Sequence, residues 1–597
     1  MKRKKTVRIG CASAFWGDTS TAAEQLVKKG SLDYLVFDFL AEVTMSILAD
    51  AKAKDDKKGY AIDFVEHIRP ILDKIKEDKV VVISNAGGMN PYACKIAIEK
   101  DAIKFGIDLN IAVVTGDDLI DVIPSSKIGQ IKEMETGMPM PENCLSMNAY
   151  IGSSGIISAL KGGADIIITG RCVDSALVLA PLMYEFKWNE HDYNMLAAGS
   201  LAGHIIECGT QCTGGNFTDW KEVENFNDMG FPIVEVSSNG NFIVSKPENT
   251  GGVVNFGTVA EQLLYEIGDP SAYLLPDVVC DFTEVEIIEI QKDKVFVKGA
   301  KGYPPGPDYK VSATYIDGYR VSGTLVIGGR HSVKKGNLIA KAILEKCSRI
   351  YQERNLLDFT RKSFDIIGSN SIYNENSSVI DIKEVVLRIA ARHKQKEALI
   401  IFAKELAQAV TGMAPGVINY LGGRPSVSPS IHLYSFLFPK NEVGISVEIG
   451  ERVIPVEPLL LSKPYKQVRT KSVLYDDKLI DKRYSTPLIN LAFARSGDKG
   501  NHANIGVIAR KSHYFPYINE ALTIKSISKY FDHVLKGHVE RWEMPKINAL
   551  NFLLKDSLGG GGMASLNIDP QGKSYAQQIL EFSIPISEEI AKELNLI

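Results

Sequence analysis

Three stretches of this chain combine residue types and spacings that could do chemistry. In Gly203-His204-Ile205-Ile206-Glu207-Cys208-Gly209, His204 and Glu207 stand three apart. On a helix they would share a face and could exchange protons with one substrate. Cys208 adjoins them and would be a nucleophile if a neighbour lowered its pKa. The same His and Glu could instead hold a metal, though a third ligand is not evident, or could be purely structural. The second stretch, Arg171-Cys172-Val173-Asp174-Ser175, offers a guanidinium able to grip a carboxylate or phosphate through two parallel hydrogen bonds. Asp174 could orient it or exchange a proton with substrate, and Ser175 adds a hydroxyl. The plainer reading is an internal Arg–Asp pair holding a loop. In the third, Asn85-Ala86-Gly87-Gly88-Met89-Asn90-Pro91, glycines let the backbone approach a ligand and Pro91 could open a helix whose free N–H groups face an anion. Asn85, Gly87, Gly88 and Asn90 are its candidate substrate contacts; a tight strand-to-helix turn without ligand is the alternative. The stretch matches neither the Walker pattern nor G-x-G-x-x-G, and no cofactor or metal is expected.

Each stretch needs an element to position it. Leu35-Val36-Phe37 runs into Asp38, Val80 to Ile83 into Ser84-Asn85, Ile111 to Val114 into Thr115-Gly116-Asp117-Asp118, and Ile166-Ile167-Ile168 into Thr169-Gly170-Arg171. These runs are continuously apolar rather than alternating, as in strands covered on both faces by helices. Thr21 to Lys29, Phe64 to Ile75 and Leu177 to Phe186 supply the helical spacing between them. The pattern predicts an α/β fold built on a mostly parallel, doubly wound sheet. In such a sheet ligands bind beyond the carboxyl ends of the strands, so Asp18, Asp38, Asn85, Asn90, Asp117, Asp118, Arg171 and Asp174 would gather on one rim. Asp38 and Glu42 could join it as an acidic pair or could simply charge the first turn of a helix.

From about residue 231 to 330 the texture becomes α+β. Asn239-Gly240 between two apolar runs signals a tight hairpin, and Val285 to Ile290 with Val295 to Val297 suggests another antiparallel pair. Lys334 to Tyr351 and Ala398 to Val410 read as helices, followed by an Asn419-Tyr420-Leu421-Gly422-Gly423-Arg424 stretch that could return over the pocket. Residues 458–486, rich in Lys, Asp, Arg, Ser and Pro, are expected to be a linker between a domain at 1–457 and a smaller one at 487–597. In the latter, strand-like Leu488 to Phe493 and Asn504 to Ile508, a helical stretch near Ala521 to Phe531, and strand-like Ala549 to Leu554 and Leu580 to Ile584 suit a small ferredoxin-like α+β domain.

The composition narrows the partners. Lys and Arg number 68 against 72 Asp and Glu, a net charge of -4, so no global field recruits nucleic acid or an anionic membrane. No apolar run approaches the roughly 20 residues that span a bilayer, and the basic start Met1 to Lys5 lacks a secretory apolar stretch. Scattered cysteines, 8 in all, fit reduced thiols in a cytoplasmic protein better than a disulfide framework.

Gly10-Cys11-Ala12-Ser13-Ala14-Phe15-Trp16-Gly17-Asp18, the Ser84 to Pro91 and Gly170 to Ala176 stretches, Arg495-Ser496-Gly497-Asp498-Lys499-Gly500-Asn501 and Gly559 to Gly562 occur in this order along nearly the whole chain. Together they resemble the acyclic terpene utilisation (AtuA) family, in which a large N-terminal domain joins a ferredoxin-fold domain. The resemblance implies catabolism of acyclic isoprenoid compounds through acyl-CoA intermediates. The resulting expectation is an enzyme that acts on a branched-chain or isoprenoid acid, as its CoA thioester, by acid–base hydration, dehydration or lyase chemistry. The alternative is a non-catalytic subunit or scaffold of an acyl-CoA-processing complex. The expected partner is an anionic or acyl-CoA small molecule, with a homo-oligomer compatible with the sequence.

Overall fold

The computed structural model describes residues 4–369, 371–373, 382–457, 483–562 and 564–597. Most of the segment read as a linker, and the side chains of Glu42 and of residues 419–421, lie outside the described residues.

Five strands pair in parallel: β1 (Thr6–Cys11), β2 (Tyr34–Phe37), β3 (Val81–Ser84), β4 (Ile111–Thr115) and, after β5 (Cys144–Ala149), β6 (Ile166–Thr169). Their order is β1-β2-β3-β6-β4. Both faces are covered, which explains the unbroken apolar runs. Leu35, Phe37, Val82, Ile166 and Ile168 pack with Leu26, Phe64, Ile68 and Cys94 in one layer. Val36, Ile83, Ala112, Val114 and Ile167 pack with the helices Ser154–Lys161, Ala176–Phe186, Tyr193–Ile206 and Phe256–Leu264 in the other. The helical reading of Phe64 to Ile75 resolves into Ile62–Ile68 and Leu72–Asp78 joined by a 3-10 turn at Arg69–Ile71. Pro70 lies in that turn, where its ring and missing N–H prevent one continuous helix.

Part of the α+β segment forms a separate 3-stranded antiparallel sheet of Tyr273–Leu274, Val279–Asp281 and Lys301–Tyr303, and part of it joins the first sheet. β7 (Ile233–Ser237) pairs antiparallel with β1, and β8 (Phe242–Ser245) returns beside it through a turn in which Gly240 takes φ +83°. The hairpin of Glu286–Gln291 with Lys294–Lys298 extends the same edge, and Ile445–Ile449 with Arg452–Val456 extends the other. The whole is an 11-stranded sheet with a parallel centre and antiparallel wings.

A second sheet is organised by the strand Asp308–Gly328. Its first half pairs with β5 and with Ser428–Pro439, and its second half with Glu384–His393 and Val417–Leu421. Helices Ser332–Glu353 and Lys396–Gly412 cover one face of that second half.

The C-terminal unit is a 4-stranded antiparallel sheet with helices packed on it. The first strand starts at Ala492, after a 3-10 turn at Leu488–Asn490, later than the Leu488 start expected from apolar content. It runs on to Lys499 and pairs with His502–Ala509. Arg495 to Lys499 is therefore strand, and Gly500-Asn501 is its turn. Alternating charge concealed the strand, because Arg495 turns to Asn216 and Gln211 of the large domain while Ser496 is buried against Gly572 of its own domain.

Candidate functional site

The carboxyl ends of four adjacent parallel strands carry a row of interlocked polar groups. Asp38 follows β2 and Asn85 follows β3; Asn85 Nδ2 donates to Asp38 Oδ1 at 2.6 Å, and Asn85 Oδ1 accepts from Phe39 N at 2.8 Å. Arg171 follows β6, and Asp117 follows β4. Asp117 Oδ2 accepts from Arg171 N at 2.7 Å and from Asn148 Nδ2 at 2.9 Å. The Arg171 guanidinium donates from Nη1 to Asp174 Oδ1 at 2.6 Å and to Cys172 O at 2.9 Å. It also stacks over the Tyr150 ring at 4.2 Å, with Lys310 Nζ 5.0 Å from the same ring. Arg171 is buried while Asp174 is partly open. This geometry fixes a cation at one place on the rim, because planar stacking and an acid partner constrain the guanidinium together.

A second layer brings the proton-transfer groups. Helix Tyr193–Ile206 packs its Gly203 directly on Ser175: a Cβ at Gly203 would lie 2.8 Å from Ser175 Cα. Only a residue without a side chain allows the helix this close, and the approach delivers His204 and Glu207 to the rim. His204 Nδ1 and Glu207 Oε1 are 2.9 Å apart, and among the described residues the buried His204 Nε2 has no hydrogen-bond partner. The Tyr273 ring lies 5.8 Å from the His204 ring.

The electrostatics of this cluster are those of crowded acids in a dry setting. Burial pushes the Asp38 carboxyl well above the usual carboxylate range, Asp174 and Glu207 push it further, and Arg171 and the Asn85 amide offset only part of this. Burial likewise raises Glu207 against the lowering influence of His204. Asp117, enclosed under the rim, is pushed up to about 7 by burial. A carboxyl raised in this way gives up its proton less readily than a free one, a direction that suits a general acid.

Cys208 sits next to this cluster without becoming a thiolate. Burial and the neighbouring Glu207 and Glu266 push its thiol well above the ordinary value and outweigh the lowering hydrogen bond of Gln262, the opposite of what nucleophilic chemistry needs. Among the described residues there is no group of three or more His, Cys, Asp or Glu placed to hold a metal.

The residues expected to catalyse or to bind substrate divide. Asn85, Arg171, Asp174, Ser175, His204 and Glu207 come together through the contacts above. Asn90 is spent on its own turn: its Oδ1 caps the helix Pro91–Phe105 through Ala93 N at 3.2 Å, and its Nδ2 donates to Asp56 O and Lys58 O. Gly87 and Gly88 are packing positions; a Cβ at Gly87 would sit 2.6 Å from Thr169 O, and one at Gly88 2.3 Å from Leu48 Cδ1. Close approach governs these glycines, with neighbouring protein atoms as the partner.

The C-terminal domain completes the neighbourhood. Arg495 donates to Asn216 O at 2.7 Å and to the Gln211 side chain, and lies over the Tyr265 ring at 5.0 Å. Arg510 grips Asp219 through both terminal nitrogens, at 2.5 and 2.6 Å. Glu266 N donates to Asn504 Oδ1 at 2.8 Å, while Lys573 reaches Tyr265 and Glu266. Lys499 Nζ lies 5.3 Å from the Tyr273 ring, the same ring that abuts His204. Tyr150, Tyr273, Lys310 and Glu266 bear no local motif that marks them in the sequence, whereas Lys499 lies in the Arg495 to Asn501 motif.

The fold and rim together define a mixed α/β protein with a large sheet, mostly parallel in its N-terminal part, and a small ferredoxin-like C-terminal domain. Residues 7–449 match the acyclic terpene utilisation family protein AtuA, and residues 486–585 match the AtuA ferredoxin-like domain. The chain belongs to the acyclic terpene utilisation family. No curated protein and no solved structure matches it. Among the described residues no helix is long and apolar enough to cross a membrane.

Proposed function

We propose that this protein is a catabolic enzyme that adds or removes the elements of water, or cleaves by a related lyase step, on a branched-chain or acyclic isoprenoid acid carried as a CoA thioester. The observation that carries this reading is the convergence of the His204–Glu207 pair with Asp38, whose carboxyl burial raises, and the stacked, buried Arg171. In the hydration direction, the His204–Glu207 pair takes a proton from water as the water oxygen bonds to the β-carbon of an unsaturated substrate. A protonated carboxyl, Asp38 being the best placed by its environment, returns a proton to the α-carbon, so atoms and charge balance. Arg171 anchors an anionic group of the substrate, with Asp174 setting its orientation. The residues supply acid, base and anion anchor, which suffice without redox chemistry.

The test is a panel of short, branched and isoprenoid acyl-CoA thioesters added to the full chain. A ligand that binds only the folded form raises its unfolding midpoint. A branched or isoprenoid member should do so, and His204→Gln should retain that shift while losing turnover. No shift from any member would defeat the substrate class, and undiminished turnover in His204→Gln would defeat the acid–base assignment.

A further inference from the structure

The C-terminal domain lays one strand along the large domain beside the acid–base site. In Ala492–Lys499 side chains alternate between two faces. Ala492 and Ala494 are buried in the core of their own domain, and Ser496 donates to Gly572 O at 2.7 Å there. Phe493, Arg495, Gly497 and Lys499 therefore share the face turned to the large domain, and each meets it one step further along. The Phe493 ring stacks on Phe217 at 5.5 Å, Arg495 donates to Asn216 O at 2.7 Å, and a Cβ at Gly497 would lie 2.5 Å from Tyr265 Cε2. Lys499 is the last, with its Nζ 5.3 Å from the Tyr273 ring.

The strand is locked in this register. Ala494 N donates to Thr218 Oγ1 at 3.0 Å, and the same hydroxyl donates to Ala494 O at 3.1 Å. Asn551 Nδ2 donates to Ile267 O at 2.9 Å and to Gly268 O at 2.6 Å, beside the bond from Glu266 N to Asn504. Glu266 takes φ +56°, a left-handed conformation that costs a bulky residue stability and persists because these neighbours fix it. Lys573 lies 3.3 Å from Glu266 and 3.5 Å from Asp498, so its charge serves the interface. Lys499 reaches past the interface: it is exposed, and the ring it touches also lies 5.8 Å from the His204 ring. Tyr273 thus has a buried imidazole and an exposed ammonium as neighbours, one from each domain.

We propose that Lys499 is a specificity-determining residue of the acid–base site, through which the C-terminal domain binds the phosphate end of the substrate's coenzyme A portion. This rests on the thioester reading of that site. A thioester puts its acyl chain at the buried groups and its hydrated phosphates toward solvent, where an exposed ammonium on a flexible stem meets them as a point charge. The Tyr273 ring keeps that charge beside the site, because an aromatic face attracts a cation.

The test is calorimetric titration of the full chain with coenzyme A and with pantetheine, which lacks the phosphates, on native protein, Lys499→Gln and Lys499→Arg. Lys499→Gln should weaken coenzyme A binding by about fivefold, the scale of one exposed charge pair, and leave pantetheine unchanged. Lys499→Arg should retain most of the coenzyme A affinity. The loss in Lys499→Gln should shrink as sodium chloride is raised, since an exposed pair is screened. Coenzyme A binding that Lys499→Gln leaves unchanged, equal weakening of both ligands, or no binding of coenzyme A overturns the proposal. Turnover of a thioester by a protein whose coenzyme A binding ignores Lys499 overturns the role of Lys499 alone. Lys499-dependent binding of coenzyme A without turnover of any thioester overturns the acid–base chemistry alone.

Discussion

Asp117 lets the electrostatics of the rim be measured without knowledge of the substrate. Replacing it by Asn keeps the shape of the side chain and removes its titration. In the native protein it is 4% exposed, accepts from Arg171 N and Asn148 Nδ2, and has its carboxyl pushed from 3.8 to about 7 by burial, with Asp118 adding to the rise. Between those two values the folded chain holds a proton that the unfolded chain has released. Stability therefore falls as pH rises through this window: the contribution is fully present below about 4 and is lost once pH passes 7. The difference of roughly 3 units, at about 1.4 kcal/mol each, gives an upper bound near 4 kcal/mol, of which about 3 kcal/mol lies between pH 5 and 8. Urea unfolding of native protein and Asp117→Asn across that range should show the variant gaining on the native protein by up to this amount at the alkaline end. Asp38, Glu207 and Glu261, whose carboxyls are also raised by burial, titrate in both proteins and largely cancel. A stability difference that stays constant from pH 5 to 8 would refute the claim that burial of this carboxyl controls its protonation.

Four further outcomes follow from the geometry. Arg171→Ala should cost roughly 1–3 kcal/mol through its lost charged hydrogen bonds yet still fold, and should abolish stabilisation by anionic ligands; retained stabilisation would assign Arg171 to loop structure alone. Gly203→Ala places a Cβ 2.8 Å from Ser175 Cα and should lower stability by about 1–3 kcal/mol while displacing His204, so turnover falls more than the midpoint suggests. Lys499→Ala, at an exposed position, should leave the midpoint in place but reduce the ligand-induced shift, which thermal unfolding with and without ligand resolves. Cys208 should resist iodoacetamide in the folded protein and react once unfolded, as mass spectrometry would show, because burial and its acidic neighbours hold the thiol protonated.

Much of the framework was legible in the linear chain. Unbroken runs such as Ile166-Ile167-Ile168 report strands covered on both faces, and the polar residues just beyond them, Asp38, Asn85 and Arg171, fall on one rim because parallel strands point the same way. The three-residue spacing of His204 and Glu207 anticipated their 2.9 Å contact, since local helical geometry sets it.

Other assignments needed the third dimension. Asn90 and the glycines beside it looked like an anion loop, but a turn that grips a ligand and a turn packed on Leu48 and Thr169 have the same local sequence. Tyr150 and Tyr273 carry no motif, and their place beside Arg171 and His204 arises from contacts across more than one element. Sequence alone determined the family, the kinds of element and the groups able to move protons, because side-chain periodicity and backbone preference are local properties. Tertiary structure decided which groups meet, which acids keep their protons and how the C-terminal domain closes the site, because burial and electrostatic coupling depend on residues hundreds of positions apart, as Arg495 and Gln211 are.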